Sequence, residues 1–102
     1  MKPVTKVIFR RDRAHPRDVF AFMPCEPSDV QGYYCTCYQH VGQHSSGDPL
    51  VMVAQSRPAT RAEYHPLARE LRRIGYRLQI VRRVPRNALE IRRKTLAQFL
   101  SP

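Results

Sequence analysis

The chain has 102 residues, of which 42% are hydrophobic and 25% charged, so length and composition indicate one ordinary folded domain. Lys and Arg outnumber Asp and Glu by 18 to 8, and the formal net charge of +10 favours polyanionic partners such as DNA, RNA or an acidic protein face. No stretch has the roughly 18 apolar residues that a membrane span needs. The first residues lack a signal-peptide core, and three cysteines without a secretion signal predict free thiols in the cytoplasm.

The first half of the chain predicts a β-sheet. Runs of β-branched, aromatic or apolar residues predict four strands, at Val4–Arg10, Asp18–Met23, Tyr33–Gln39 and Leu50–Ala54. In the first strand, Val7 and Phe9 share one face, and Ile8 lies on the other. Pro24 ends the second strand, and the residues from His40 to Pro49 form a loop because glycine, serine and aspartate predominate there.

The most clearly marked element is a helix from Arg61 to Ile74. Thr60 and Glu63 have the spacing of a capping box, in which each side chain satisfies the other residue's backbone N–H group. A helical face then carries Tyr64, Leu67, Ala68, Leu71 and Ile74, which predicts that Leu67 and Leu71 are buried against the sheet. Gly75 fits the left-handed position after a helix, whereas Pro66 should kink the helix or delay its regular part.

A fifth strand at Tyr76–Arg83 and a second helix over residues 87–100 complete the chain. The strand alternates, with Tyr76, Leu78 and Ile80 inward, and the helix has an apolar stripe of Leu89, Leu96, Phe99 and Leu100. The predicted fold class is therefore α+β: an antiparallel sheet of four to five strands with one helix packed on it, in the order β-β-β-β-α-β, followed by a C-terminal helix. Residues 1–84 form the core domain, and residues 85–102 form a basic helical extension.

Positive charge is concentrated in the second half of the chain. Residues 1–56 have a net charge of +1, whereas residues 57–102 have a net charge of +9. Arginine suits bidentate contact with phosphate, so this half predicts a polyanion-binding face. That face comprises Arg69, Arg72, Arg73, Arg82, Arg83, Arg86, Arg92, Arg93 and Lys94. The alternative is that these side chains simply cover a solvated surface.

The polar segment from Tyr33 to Asp48 carries the groups with chemical potential. Cys35, Cys37, His40 and His44 form a Cys2His2 set, but it is compressed into ten residues, so we expect no stoichiometric zinc and no other cofactor. A Cys–His nucleophile pair with Asp48 or Gln43 is a second possibility, although no cysteine-enzyme signature is present. The preferred interpretation is a hydrogen-bonding loop of structural or binding role, made of Tyr38, His40, Gln43, His44 and Asp48.

A family resemblance rests on three pieces of sequence. Residues 38–45 read Tyr-Gln-His-Val-Gly-Gln-His-Ser, residues 57–64 contain Arg-Pro-Ala-Thr-x-x-Glu-Tyr, and residues 74–76 read Ile-Gly-Tyr. In these the chain resembles a group of small uncharacterised bacterial proteins found near phage and conjugative-element genes. The resemblance spans about residues 6–82, and it implies a mobile-element setting without implying an activity or a catalytic residue.

Two classes of function follow. The first is a small non-enzymatic protein that contacts nucleic acid or a nucleoprotein through the arginine-rich face, without sequence-specific readout because no helix-turn-helix or RNP-type signature occurs. The second is a phage-borne regulator or inhibitor, of anti-defence type, that acts by protein–protein contact with a host complex. A small metal-binding domain stands third.

Overall fold

In a computed structural model, which describes residues 3–15, 18–39 and 43–100, the chain forms a six-stranded sheet with helices on both faces. The strands are β1 (Val4–Asp12), β2 (Val19–Pro27), β3 (Cys35–Tyr38), β4 (His44–Gly47), β5 (Ser56–Pro58) and β6 (Arg77–Ile80). The helices are α1 (Pro49–Ala54), α2 (Arg61–Arg73) and α3 (Ala88–Leu100). The predicted α+β class with a C-terminal helix is confirmed.

The sheet is mainly antiparallel, in the order β4-β3-β2-β1-β5, and one parallel strand adds to its edge. β6 pairs in parallel with Val4–Val7 of β1, while β5 pairs antiparallel with Arg10–Asp12 of the same strand. β5 and β6 thus each continue the sheet beyond β1. Since α2 connects β5 to β6, the N-terminus of α2 and the residues that follow β6 come together near β1.

Both faces of the sheet are buried because β1 and β2 carry apolar side chains on each side. The first core cluster lies under α2 and comprises Val7, Phe9, Ala21, Met23, Tyr38, Leu67, Ala68 and Leu71. The second core cluster comprises Ile8, Phe20, Phe22, Cys35 and Cys37, and Met52 of α1 packs against it. Leu67 and Leu71 are buried as predicted, and the alternation in β1 places Val7 and Phe9 in one cluster and Ile8 in the other.

The predicted caps of α2 are present. The Thr60 side chain accepts a hydrogen bond from the Glu63 backbone N–H, the Glu63 side chain accepts one from the Thr60 N–H, and Gly75 has a φ of 118° after the helix. A residue with a side chain would be strained at that φ, so glycine is required there. Pro66 lies inside the helix without ending it.

Three local predictions are wrong. Leu50–Ala54 is not a buried strand but forms most of helix α1. Asp48 caps the N-terminus of this helix, since its side chain accepts a hydrogen bond from the Leu50 N–H. The residues His44–Gly47, predicted as loop, form strand β4 against β3. The second strand does not end at Pro24 but continues to Pro27, with an irregularity in the pairing after Met23 that tolerates a residue without an N–H group.

The C-terminal helix packs on the sheet by a different face from the predicted one. Ala88 and Arg92 are buried, whereas Phe99 and Leu100 are exposed. α3 contacts β2, and a cavity lined by residues of both α1 and α3 lies between these two helices. None of the helices in the described ranges is long and apolar enough to span a membrane.

Candidate functional site

The nine residues of the predicted polyanion face are carried by three parts of the chain. α2 lies over the first core cluster, whereas α3 lies beside α1, which packs on the second core cluster on the other face of the sheet. The exposed residues fall into three groups. The α2 group is Arg69, Arg72 and Arg73, and the group after β6 is Arg82 and Arg83. The third group is Arg86, just before α3, with Arg93 and Lys94 on α3.

Arg92 differs from the other eight because it is only 5% exposed. Its Nε donates to the Gly32 carbonyl oxygen at 2.8 Å, and its Nη1 donates to the Pro24 carbonyl oxygen at 2.6 Å. These bonds tie α3 to β2 and to the loop before β3. The burial of Arg92 separates its guanidinium from the solvent-accessible arginines.

A cleft near the edge of the sheet brings together three arginines that are distant in sequence. This arginine cleft has a volume of about 380 Å³, and Arg10, Arg61 and Arg82 line it. It forms where the N-terminus of α2 and the residues after β6 meet β1, since the Ala59 N–H donates to the Phe9 carbonyl and the Val81 N–H donates to the Val7 carbonyl. Among the described residues that line it, none is acidic.

Arg10 is one of the residues that line the arginine cleft, and hydrogen bonds to Val53 and Ser56 at the end of α1 hold its side chain in place. The side chain is 8% exposed, and it donates to the Ser56 Oγ at 2.9 Å, to the Ser56 carbonyl at 2.7 Å and to the Val53 carbonyl at 3.0 Å. Burial and then the nearby charge of Arg13 lower the pKa of Arg10 from its usual value. Its positive charge is thus fixed by neutral carbonyl and hydroxyl groups.

Other arginines near α2 already have acidic neighbours. Arg11 and Arg57 both pair with the Glu63 carboxylate, the latter through its Nη2 at 3.0 Å from Oε2. A cavity on the other side of α2, of about 510 Å³, has Arg69 and Arg73 in its wall together with Glu63 and Glu70. The arginine cleft is therefore distinguished by charge of one sign. The sequence prediction includes Arg82 but omits Arg10 and Arg61, because only the pairing of β5 and β6 with β1 brings them together.

The polar segment forms a second cluster on the α2 side of the sheet. His44 pairs with Tyr38 in the β3–β4 register, their rings meet edge to face at 4.9 Å, and the His44 Nε2 lies 3.0 Å from the Tyr76 hydroxyl. Burial raises the pKa of the Glu26 carboxyl above its usual value, against the opposing effect of His44. Burial, then the charges of Glu26 and Tyr38, raise the pKa of Tyr76.

This polar cluster is a bracing contact with one unusual group. The contact between His44 and Tyr76 joins β4 to the segment that follows α2. The Oε2 atom of Glu26 is buried and has no hydrogen-bond partner among the described residues. Such an atom is costly unless the carboxyl is protonated, in agreement with the raised pKa of Glu26.

The three candidate zinc ligands in the described residues do not converge. Cys35 and Cys37 belong to the second core cluster, whereas His44 lies on the opposite face of the sheet beside Tyr38. His40 lies outside the described residues. Within the described ranges, no group of three or more His, Cys, Asp or Glu side chains is placed to hold a metal ion.

The same sheet separates Cys35 and Cys37 from His44, and the candidate orienting group Asp48 is otherwise engaged. The Asp48 side chain accepts the hydrogen bond from the Leu50 N–H at 2.9 Å. The Gln43 carbonyl accepts one from the Gln39 N–H at 3.4 Å. In this geometry neither His44 nor Asp48 activates a thiol of Cys35 or Cys37.

Comparison with protein-family models, with curated protein sequences and with solved structures finds no match for this chain in any of the three.

Proposed function

We propose that this protein is a small, basic, non-enzymatic protein that binds the sugar–phosphate backbone of nucleic acid, alone or within a nucleoprotein, in a mobile-element setting. The observation that carries the proposal is the arginine cleft, in which Arg10, Arg61 and Arg82 meet without an acidic side chain in the lining. Three like charges around one cleft repel one another, and a bound phosphate group would relieve that repulsion.

The chemistry of arginine favours phosphate as the anion. A guanidinium presents a planar fork of N–H groups that matches two phosphate oxygens, and such charge-assisted pairs are short and strong. Arg61 and Arg82 are exposed, so their side chains are free to reach a ligand while Arg10 is held in place by its hydrogen bonds. Arg83 follows Arg82 directly, and it would contact the next phosphate along a strand.

Salt-dependent binding tests the proposal. Fluorescence anisotropy of a labelled random duplex and a labelled single strand, each titrated with protein at low and physiological salt, should give a logarithmic affinity that falls by about 0.9 per phosphate neutralised on duplex DNA. Replacing Arg61 and Arg82 together by Ala should weaken binding to all sequences alike and reduce that slope by up to about 2.

A matched control separates the cleft from general charge. The Arg69→Ala, Arg73→Ala double variant also loses two positive charges, but it loses them from the cavity that contains Glu63 and Glu70. It should reduce affinity and slope much less. Equal losses in the two double variants would leave a diffuse basic surface in place of a cleft, and no binding to either probe at low salt would reject the nucleic-acid function.

A protein partner is the second candidate, and one feature favours it. Between α1 and α3 lies a cavity of about 410 Å³ whose wall includes Pro49, Leu50, Val84 and Leu89, and Leu50 is 76% exposed. Together with the basic surface, this groove suits an acidic, amphipathic segment of a host protein, as a phage-borne regulator or inhibitor would require. Pulldown from host lysate after nuclease treatment should then retain the partner, and Leu50→Glu should release it.

A cytoplasmic location belongs to the same proposal. All three cysteines, Cys25, Cys35 and Cys37, are free thiols in the structure. Free thiols persist where glutathione and thioredoxin keep the surroundings reducing, which supports the cytoplasm as the compartment.

A further inference from the structure

Three sulfur atoms lie together in the second core cluster. The Cys37 Sγ is 3.3 Å from the Sδ of Met52 on α1 and 3.7 Å from the Cys35 carbonyl oxygen, and the Cys35 thiol is buried in the same cluster. Cys35 is fully buried and Cys37 is 2% exposed, while Met52 is partly buried at the surface side of the group. The third cysteine, Cys25, is not a member of this cluster.

The other side chains of the second core cluster are apolar. Ile8, Phe20 and Phe22 complete the second core cluster around the two thiols. On β4, Gly47 is placed so that an added Cβ would stand 2.5 Å from the Met52 Sδ and 3.0 Å from the Cys37 Sγ. The sulfur atoms of Cys37 and Met52 thus occupy space that only a glycine leaves open, and α1 brings the thioether against the Cys37 thiol.

A buried positive charge accompanies the cluster. The interaction with the Cys37 thiol and then burial raise the pKa of Cys35, and the positive charge of Arg92 acts in the opposite direction. The guanidinium donates to the backbone carbonyls of Gly32 and Pro24, and it forms no salt bridge with a carboxylate in the described part of the chain. A buried charge without a counter-ion favours the appearance of a negative charge nearby.

We propose that Cys35, Cys37 and Met52 form a binding site for a soft monovalent cation, Cu(I), which two thiolates and a thioether would coordinate beneath α1. Both thiols lose their protons to solvent on binding, so one Cu(I) with two thiolates carries a net charge of −1, which the positive charge of Arg92 balances. This site is independent of nucleic-acid binding through the arginine cleft.

The ligand set favours Cu(I) over zinc. Thiolate and thioether are soft ligands that select Cu(I), and Cu(I) accepts two or three of them. A structural zinc site takes four ligands in a tetrahedron, usually thiolate and imidazole, and His44 is on the other face of the sheet. The partly buried Met52 gives the route of entry, since it connects the thiols to the surface of the short helix α1.

Competition for copper tests the site. The reduced full-length protein is titrated with Cu(I) under anaerobic conditions against bicinchoninate, a coloured Cu(I) chelator, and should withhold one equivalent per chain. Because two protons leave, the retention of copper should increase with pH. Below the pKa of the thiols, about two protons should be released per bound ion. Zn(II), titrated against its own chelator, should not be withheld stoichiometrically.

Single substitutions locate the ligands. Cys37→Ser and, as a second variant that keeps an apolar core, Cys37→Ala should each lose the withheld equivalent, and Met52→Leu should surrender copper at a lower chelator concentration than the parent. Cys25→Ser removes a thiol outside the cluster and should keep the full equivalent. The proposal is overturned if the parent withholds no copper, if folded Cys37→Ala retains it, or if Cys25→Ser loses it equally.

Discussion

The buried guanidinium of Arg92 attaches α3 to the sheet, and replacing it by leucine should be strongly destabilising. Its two donors satisfy the carbonyl oxygens of Gly32 and Pro24 at 2.8 and 2.6 Å, and both acceptors lie in buried residues. Arg92→Leu places an apolar side chain on the same helix face and leaves both carbonyl oxygens without this donor. The loop before β3 and the C-terminal helix should therefore loosen together.

The size of the effect follows from two opposing contributions. A hydrogen bond from a charged donor contributes about 1.5–3 kcal/mol, so two such bonds set an upper value of roughly 6 kcal/mol. Leucine removes a buried charge whose desolvation is unfavourable, and this offsets part of the loss. The expected decrease in the free energy of unfolding is about 2–4 kcal/mol.

Urea unfolding followed by circular dichroism measures this difference, and Arg93→Leu is the matched control. Arg93 is the next residue on α3 but is exposed: its Nε is 3.4 Å from the Gln31 carbonyl, and its guanidinium carbon lies 5.1 Å from the centre of the Tyr33 ring. Its replacement should cost less than about 1 kcal/mol. Similar midpoints for the two variants would refute the burial of Arg92 and the attachment of α3 that depends on it.

Three further changes test other parts of the fold by the same unfolding assay. Leu71→Ala should lower the free energy of unfolding by about 2–5 kcal/mol because Leu71 of α2 is fully buried against the sheet; a loss below about 1 kcal/mol would contradict its place in the first core cluster. Gly75→Ala should cost about 1 kcal/mol or more because φ is 118° there. Glu26 has a raised folded-state pKa, so it stabilises the fold below its unfolded value near 4.5 and loses that contribution as pH rises through the folded value. Glu26→Gln should therefore gain stability relative to the parent as the pH rises above 4.5, and a stability difference that stays constant with pH would contradict this.

Helix α1 shows how a short apolar run misleads and which signal corrects it. Five apolar residues in succession are compatible with a buried strand or a helix, and length alone favours the strand. The pair Asp48-Pro49 decides the matter, because aspartate is a preferred N-cap and proline is favoured in the first helical turn. That signal is readable from the sequence, and giving it precedence over the apolar run would have predicted α1.

Strand β4 could not be predicted in this way, because its side chains carry no strand pattern. His44, Ser45 and Ser46 are polar and exposed, and the strand pairs only with β3 at the edge of the sheet. Its position depends on backbone hydrogen bonds and on the His44–Tyr76 contact, which joins residues 32 positions apart. Polar side chains at such an edge also oppose pairing with a second sheet, which gives this composition a physical reason.

The arginine residues show the limit of sequence reasoning most clearly, because eleven arginines in the second half of the chain look alike until the fold separates them. Helical spacing from Leu89 predicts a buried leucine stripe on α3, yet the helix buries the face of Ala88 and Arg92 instead. The reason lies elsewhere in the chain: the bend in β2 after Met23 and the turn at Gly32 leave carbonyl groups that require donors. An arginine meets that requirement and a leucine does not. The same fold leaves Arg61 and Arg82 exposed around Arg10, so the position of each arginine relative to unsatisfied acceptors, and not its periodicity, separates the structural guanidinium from those available to a phosphate.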